Sequence, residues 1–94
     1  MEQWLARDFT RDLSPTAVVQ AERAARKIIK AFDREGYPAW EDGDCSEVLL
    51  EWSYDEAMER DVYQSEDFAD QLSDWRSHVE QIVVRHFVEQ EQAA

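Results

Sequence analysis

The sequence predicts an α+β protein in which two long amphipathic helices pack on a small antiparallel sheet. Apolar residues recur every three or four positions in two long segments, as in helices packed on a core. They alternate with polar residues in a shorter segment between the two, as in a half-buried strand. Only two glycines and two prolines occur in 94 residues, which favours long elements with few turns. The alternative is an all-α bundle with one extended segment.

The first long helix is predicted over residues 14–35. Ser14 suits the N-cap and Pro15 the first helical position, whereas Gly36 suits a left-handed C-cap and Pro38 prevents continuation. The apolar stripe comprises Val18, Ala21, Ala25, Ile28 and Phe32. A basic stripe lies away from it and comprises Arg23, Lys27, Lys30 and Arg34.

The strand is predicted over residues 47–54, where the apolar period is two. One face carries Val48, Leu50, Trp52 and Tyr54, and the other carries Glu47, Glu51 and Ser53. Leu49 is the exception to this alternation. A strand needs a neighbour for its backbone hydrogen bonds, and either residues 38–41, through a turn at Asp42-Gly43, or residues 60–64 can provide one. Because Ser53 and Glu56 have capping-box spacing, residues 55–63 are open to either helix or strand.

The second long helix is predicted from Ser65 to about Gln90. Ser65 is a suitable N-cap, and the acidic residues that follow it suit the positive end of the helix dipole. The apolar stripe comprises Phe68, Leu72, Trp75, Val79, Ile82 and His86, broadened by Val83 and Phe87. Residues 1–13 are expected to form a short helix or an arm on the core. We expect all 94 residues to form one domain.

Charge is distributed unevenly along the chain. The formal net charge is −12, and residues 41–74 contain thirteen acidic residues and one basic residue, Arg60. Residues 1–40 carry seven basic and six acidic groups, and residues 75–94 carry two and three. Such clustering costs stability through repulsion, which suggests that it is retained for a partner.

The residues needed for a metal site or for catalysis do not occur in recognisable patterns. His78 and His86 lie eight residues apart on one helix, about 12 Å along its axis, which is too far to share a metal. Asp42, Asp44 and Ser46 alternate as in a calcium loop, but Glu47 replaces the required glycine. No motif joins the single cysteine, Cys45, to either histidine. We therefore expect no metal, no cofactor and no enzymatic activity.

The predicted functional surface is the acidic middle of the chain. On the second long helix Glu66, Asp70 and Asp74 follow at intervals of four, about 6 Å apart along the axis, which approximates the spacing of phosphates on a nucleic-acid strand. Carboxylates also accept bidentate contacts from arginine. The candidate partner-binding residues are Glu41, Asp42, Asp44, Glu47, Glu51, Asp55, Glu56, Glu59, Asp61, Glu66, Asp67, Asp70 and Asp74.

With these thirteen residues the chain resembles, as a class, the small acidic inhibitors made by phages and mobile elements, which include nucleic-acid mimics and many anti-CRISPR proteins. No family motif accompanies the resemblance, which covers about a third of the chain. It implies a non-enzymatic inhibitor that occupies the nucleic-acid site of a basic protein or complex. An immunity protein or antitoxin that covers a basic toxin would use acidic residues in the same way, and an acidic adaptor or structural protein is a further alternative.

The expected partner is a basic protein surface, and direct binding to nucleic acid is not expected because the overall charge opposes it. The basic stripe of the first helix could instead pair with the acidic region of a second copy, giving a homodimer. No apolar run approaches the roughly 20 residues that span a membrane. The single cysteine favours a reducing, cytoplasmic setting.

Overall fold

A computed structural model of the protein describes residue 4 and residues 6–36, 43–59 and 66–93; the side chains of residues 43–46, 66–70 and 91–93 lie outside this description. Within these ranges the chain forms a bundle of three helices, α1 (Pro15–Glu35), α2 (Gly43–Glu59) and α3 (Glu66–Ala93). None of the described residues is in a strand. The predicted α+β fold is therefore wrong. The all-helical alternative has the right class, but its extended segment is a helix.

Both ends of α1 follow the prediction. The Ser14 side chain accepts a hydrogen bond from the Ala17 amide at 3.1 Å, which satisfies one of the free amides of the first turn. Gly36 adopts a left-handed conformation with φ of 77°, and its amide donates to the Phe32 carbonyl. A side chain at position 36 would be strained in this conformation, so glycine ends the helix at low cost.

The second predicted helix, α3, is confirmed and has 28 residues. A helix of that length extends about 42 Å at 1.5 Å per residue, and the longest dimension of the molecule is 41 Å. Trp75, Val79 and Val83 are buried on its inner face, and Leu72, Ile82 and Phe87 are partly buried beside them. Both α1 and α2 pack against this long helix.

The core lies mainly between α1 and α3. Four alanines of α1 are fully buried there, at positions 17, 21, 24 and 25, and their small side chains allow close approach of α3. Trp75 fills this space, and its indole Nε1 donates to the Ala17 carbonyl at 3.0 Å. Further along, the ring of Phe32 lies 4.9 Å from that of Trp52 and 6.1 Å from that of Phe87, so aromatic side chains of all three helices meet.

Residues 47–54, predicted as a strand, lie within α2. Among residues 47–59 of α2 the buried positions are Leu49, Ser53, Glu56 and Ala57, which recur at helical intervals. Leu49, the exception to the two-residue alternation, is only 4% exposed, whereas Leu50 is 41% exposed. Ser53 is not an N-cap, because it lies inside α2 and its hydroxyl donates to the Leu50 carbonyl at 2.8 Å. Residues 55–59, which the sequence left open to helix or strand, are helical. Residues 60–64 and 38–41, the two segments proposed to pair with the strand, lie outside the described residues.

The described residues before α1, Trp4 and residues 6–14, pack as an arm on the core. The side-chain amide of Gln81, in the middle of α3, donates to the carbonyls of Trp4 and Arg7 at 2.7 and 2.8 Å. Trp4 packs against the core and Leu13 is buried in it. Gln81 is itself buried, so the two bonds satisfy a polar group that would otherwise be costly to enclose.

Candidate functional site

The outer face of α2 carries a row of four exposed carboxylates. Glu47, Glu51, Asp55 and Glu59 follow one another at intervals of four residues, and all four are exposed. Successive members rise about 6 Å along the axis, so the row extends over about 18 Å. We call these four residues the acidic row. Because the segment is a helix, successive carboxylates of the row lie about 6 Å apart along one ridge, whereas a strand would space them about 13 Å apart.

The remaining nine predicted acidic residues are placed less completely. Asp74 is half-buried on α3, and Glu56 is buried on α2. Asp44, Glu66, Asp67 and Asp70 have helical backbone, but their side chains lie outside the described residues. Glu41, Asp42 and Asp61 lie outside them altogether. Glu66, Asp70 and Asp74, predicted to follow at intervals of four on one helix, all lie within α3. Apart from Glu56 and Asp74, the predicted acidic side chains whose arrangement the structure describes are those of the acidic row on α2.

Lys27 of α1 connects the basic stripe to the acidic residues of α2. Its ammonium nitrogen lies 2.8 Å from a carboxylate oxygen of Glu56 and 2.8 Å from one of Glu59. The Glu56 side chain is 7% exposed, so its charge is enclosed against that of Lys27. Hydrogen bonds from Lys27 to Glu56 first, and then to Glu59, raise the pKa of the lysine. These contacts pair one cation of α1 with two carboxylates of α2 within the same molecule.

A shallow depression of about 230 Å³ lies at this junction of α1 and α2. Trp52 and Ile28 form apolar parts of its wall, and Lys27, Arg34 and Asp55 are among the charged residues around it. Positively and negatively charged side chains therefore surround an aromatic side chain in this depression. The acidic row consequently borders α1 cations on this side, and its end at Glu59 is partly neutralised.

A second row on α2 was not predicted from the sequence as an exposed surface. Leu50, Tyr54 and Met58 are 41%, 40% and 64% exposed, and they too follow at intervals of four. We call them the apolar row. The guanidinium carbon of Arg76, on α3, lies 4.0 Å from the centre of the Tyr54 ring, a cation–π contact. The strand hypothesis concealed this row because it assigned Leu50 and Tyr54 to the buried face.

The ionisable residues of α3 do not assemble a reactive centre among the described residues. Burial lowers the pKa of His78, which favours the neutral imidazole. Burial raises the pKa of Glu80, although the nearby Arg76 charge and a hydrogen bond from Ser53 act against this. No group of three or more potential ligands that could hold a metal occurs in the part of the chain that the structure describes. The side chain of Cys45 lies outside that part.

No protein-family model, curated protein or solved structure matches this chain. Among the described residues, no helix combines the length and apolar character required to cross a membrane.

Proposed function

We propose that the protein is a small acidic binding protein that inhibits a partner by presenting clustered carboxylates to a basic, nucleic-acid-binding site. The observation that carries the proposal is the acidic row. Its members project from one helix at a regular interval of about 6 Å, which resembles the phosphate repeat of a single nucleic-acid strand. An exposed carboxylate can accept two parallel hydrogen bonds from arginine, the side chain that basic nucleic-acid sites use most.

The usable part of the surface is the first three members of the row. Glu47, Glu51 and Asp55 have no cation within 4 Å among the described residues, whereas Glu59 is already paired with Lys27. Attraction between this patch and a basic partner would accelerate their encounter and would weaken as salt increases. The net charge of −12 acts in the same direction at longer range.

The proposal can be tested with two charge-matched variants. In the row variant, Glu47→Gln, Glu51→Gln and Asp55→Asn remove three carboxylates from α2. In the control variant, Glu22→Gln, Asp33→Asn and Glu35→Gln remove three exposed carboxylates from α1. Both variants change the net charge equally, so any difference between them reports where the charges lie and not how many there are.

The measurement is affinity capture from an extract of the cells that contain the protein, with each form immobilised in turn. We expect the parent protein and the control variant to retain a nucleic-acid-binding protein that added DNA or RNA displaces, and the row variant to lose it. Equal retention by both variants would contradict the proposal. Retention of a single basic toxin that nucleic acid does not displace would instead favour an immunity protein or antitoxin, and retention of a non-basic protein would favour an adaptor.

A further inference from the structure

The acidic row and the apolar row run side by side along α2. Each residue of the apolar row follows a member of the acidic row by three positions: Leu50 after Glu47, Tyr54 after Glu51, and Met58 after Asp55. Residues three apart are neighbours on a helix surface, about 60° apart around the axis. The outer face of α2 therefore repeats an acid–apolar pair every four residues over three repeats.

Electrostatic mimicry alone requires only the acidic row. Four large apolar side chains are exposed among the described residues, and three of them are Leu50, Tyr54 and Met58, arranged in one line. Contiguous exposed apolar side chains bordered by charge are typical of protein interaction sites. Tyrosine is also among the residues that contribute most to such interfaces, and Arg76 holds this ring from the α3 side.

We propose that the two rows together form a docking face for an amphipathic helix of a partner protein, with lysine or arginine along one border of its apolar stripe. This inference rests on the proposed function and specifies the partner of that same surface. The acidic row selects the sign of the partner's charge, and the apolar row selects a partner with its own apolar stripe.

A helical partner fits this face better than the other occupants. A helix arrives with its backbone hydrogen bonds already made, whereas a β-strand would need a sheet edge to pair with, and the described residues offer none. A nucleic-acid strand carries the same charge as the acidic row. A second copy that used the same face would place one acidic row against another, which opposes association.

The test uses two synthetic peptides of about 18 residues, long enough to form a helix on binding. Both contain the same leucines and lysines; in one the leucines form a single helical stripe with lysines along its border, and in the other the order is scrambled. Binding to the full-length protein is measured by calorimetry, and its oligomeric state by sedimentation. We expect the parent protein to bind the striped peptide at least about tenfold more tightly than the scrambled one.

Substitution of the apolar row by residues that suit helices separates the two contributions. The double variant Leu50→Gln and Met58→Gln is expected to bind both peptides equally weakly, and Val19→Gln, at the exposed apolar residue of α1, is expected to behave as the parent. The row variant is expected to lose affinity for both peptides. Circular dichroism verifies that each variant is folded.

Equal affinity of the parent for the two peptides, or no binding to either, would overturn the inference. Neither result would contradict the proposed function, which the capture experiment judges by its dependence on the acidic row and on nucleic acid. Self-association of the parent that the Leu50→Gln and Met58→Gln variant abolishes would also overturn the inference, because it would assign the face to a second copy.

Discussion

Two adjacent leucines distinguish the helical from the extended form of residues 47–54. In α2 Leu49 faces the core and Leu50 faces solvent, whereas a half-buried strand would place Leu50 inside and Leu49 outside. Substitution of each by alanine removes the same atoms from neighbouring positions and slightly favours a helix in both cases. The order of the two stability losses is therefore decided by which side chain is buried.

The magnitudes follow from burial. Leu49 is 4% exposed, and replacing a buried leucine by alanine costs about 2–5 kcal/mol, because apolar contacts are lost and a cavity remains. Leu50 is 41% exposed, so its truncation is expected to cost less than about 1 kcal/mol. For a chain of this size each kcal/mol changes the melting temperature by about 4–8 °C. We therefore expect a decrease of about 8–40 °C for Leu49→Ala and of less than about 8 °C for Leu50→Ala.

Thermal and urea unfolding, followed by circular dichroism, measure both variants against the parent. A domain of this length is stable by roughly 5–14 kcal/mol, so a loss near the middle of the expected range leaves Leu49→Ala folded at room temperature. The urea dependence of the unfolding free energy should be the same for all three proteins, since they expose similar surface. A larger loss for Leu50→Ala than for Leu49→Ala would refute the orientation of α2 and, with it, both rows on its outer face.

The packing and the charges of α3 give two further predictions. Trp75→Phe removes the hydrogen bond to the Ala17 carbonyl and part of the buried ring, and we expect it to lower the free energy of unfolding by about 2 kcal/mol, measured by urea titration. The same change at the half-buried Trp52 should cost less, and equal costs would contradict the placement of Trp75. Burial raises the pKa of Glu80 above its ordinary value of 4.5, so its ionisation opposes folding as the pH rises through that raised pKa. Glu80→Gln should therefore melt at a higher temperature than the parent at neutral pH, and the gain should shrink as the pH falls from the raised pKa toward 4.5 and be absent below it; a gain independent of pH would exclude this cause.

The ends of α1 were predictable because local chemistry determines them. Ser14 and Gly36 act on backbone groups within a few residues, so their effects can be read without knowledge of the tertiary structure. The inner face of α1 was predictable for a similar reason, because apolar residues alone form it. On α3 the same periodicity located the core at Trp75 and Val79.

The helical state of α2 was not predictable from its apolar period. Val48 with Trp52, and Leu50 with Tyr54, are spaced by four, so the same residues that alternate along a strand also form helical pairs. The face that α2 buries is partly polar and escapes a search for apolar residues. The Ser53 hydroxyl can be buried at low cost because it donates to the Leu50 carbonyl.

The burial of Glu56 in the candidate site was likewise not predictable from the sequence. Its charge is enclosed through Lys27, which lies 29 residues earlier on another helix, and no local pattern reveals that contact. The sequence identified the members of the acidic row as candidates, but only the helical state of α2 brings them to about 6 Å from one another along one ridge; a strand would space them about 13 Å apart. It also removes Glu56 from that ridge and places Leu50, Tyr54 and Met58 beside it.

The ion pairs of Lys27 determine which carboxylates of α2 can give a basic partner a favourable new contact. A partner cation at Glu59 would have to replace a contact of 2.8 Å, although both side chains are more than half exposed, so that contact itself contributes little. At Glu56 the replacement would require access to a buried carboxylate. The favourable end of the surface is therefore its N-terminal part, from Glu47 to Asp55. There the carboxylates repel one another in the free protein, and a bound cation relieves that repulsion while it makes its own contacts.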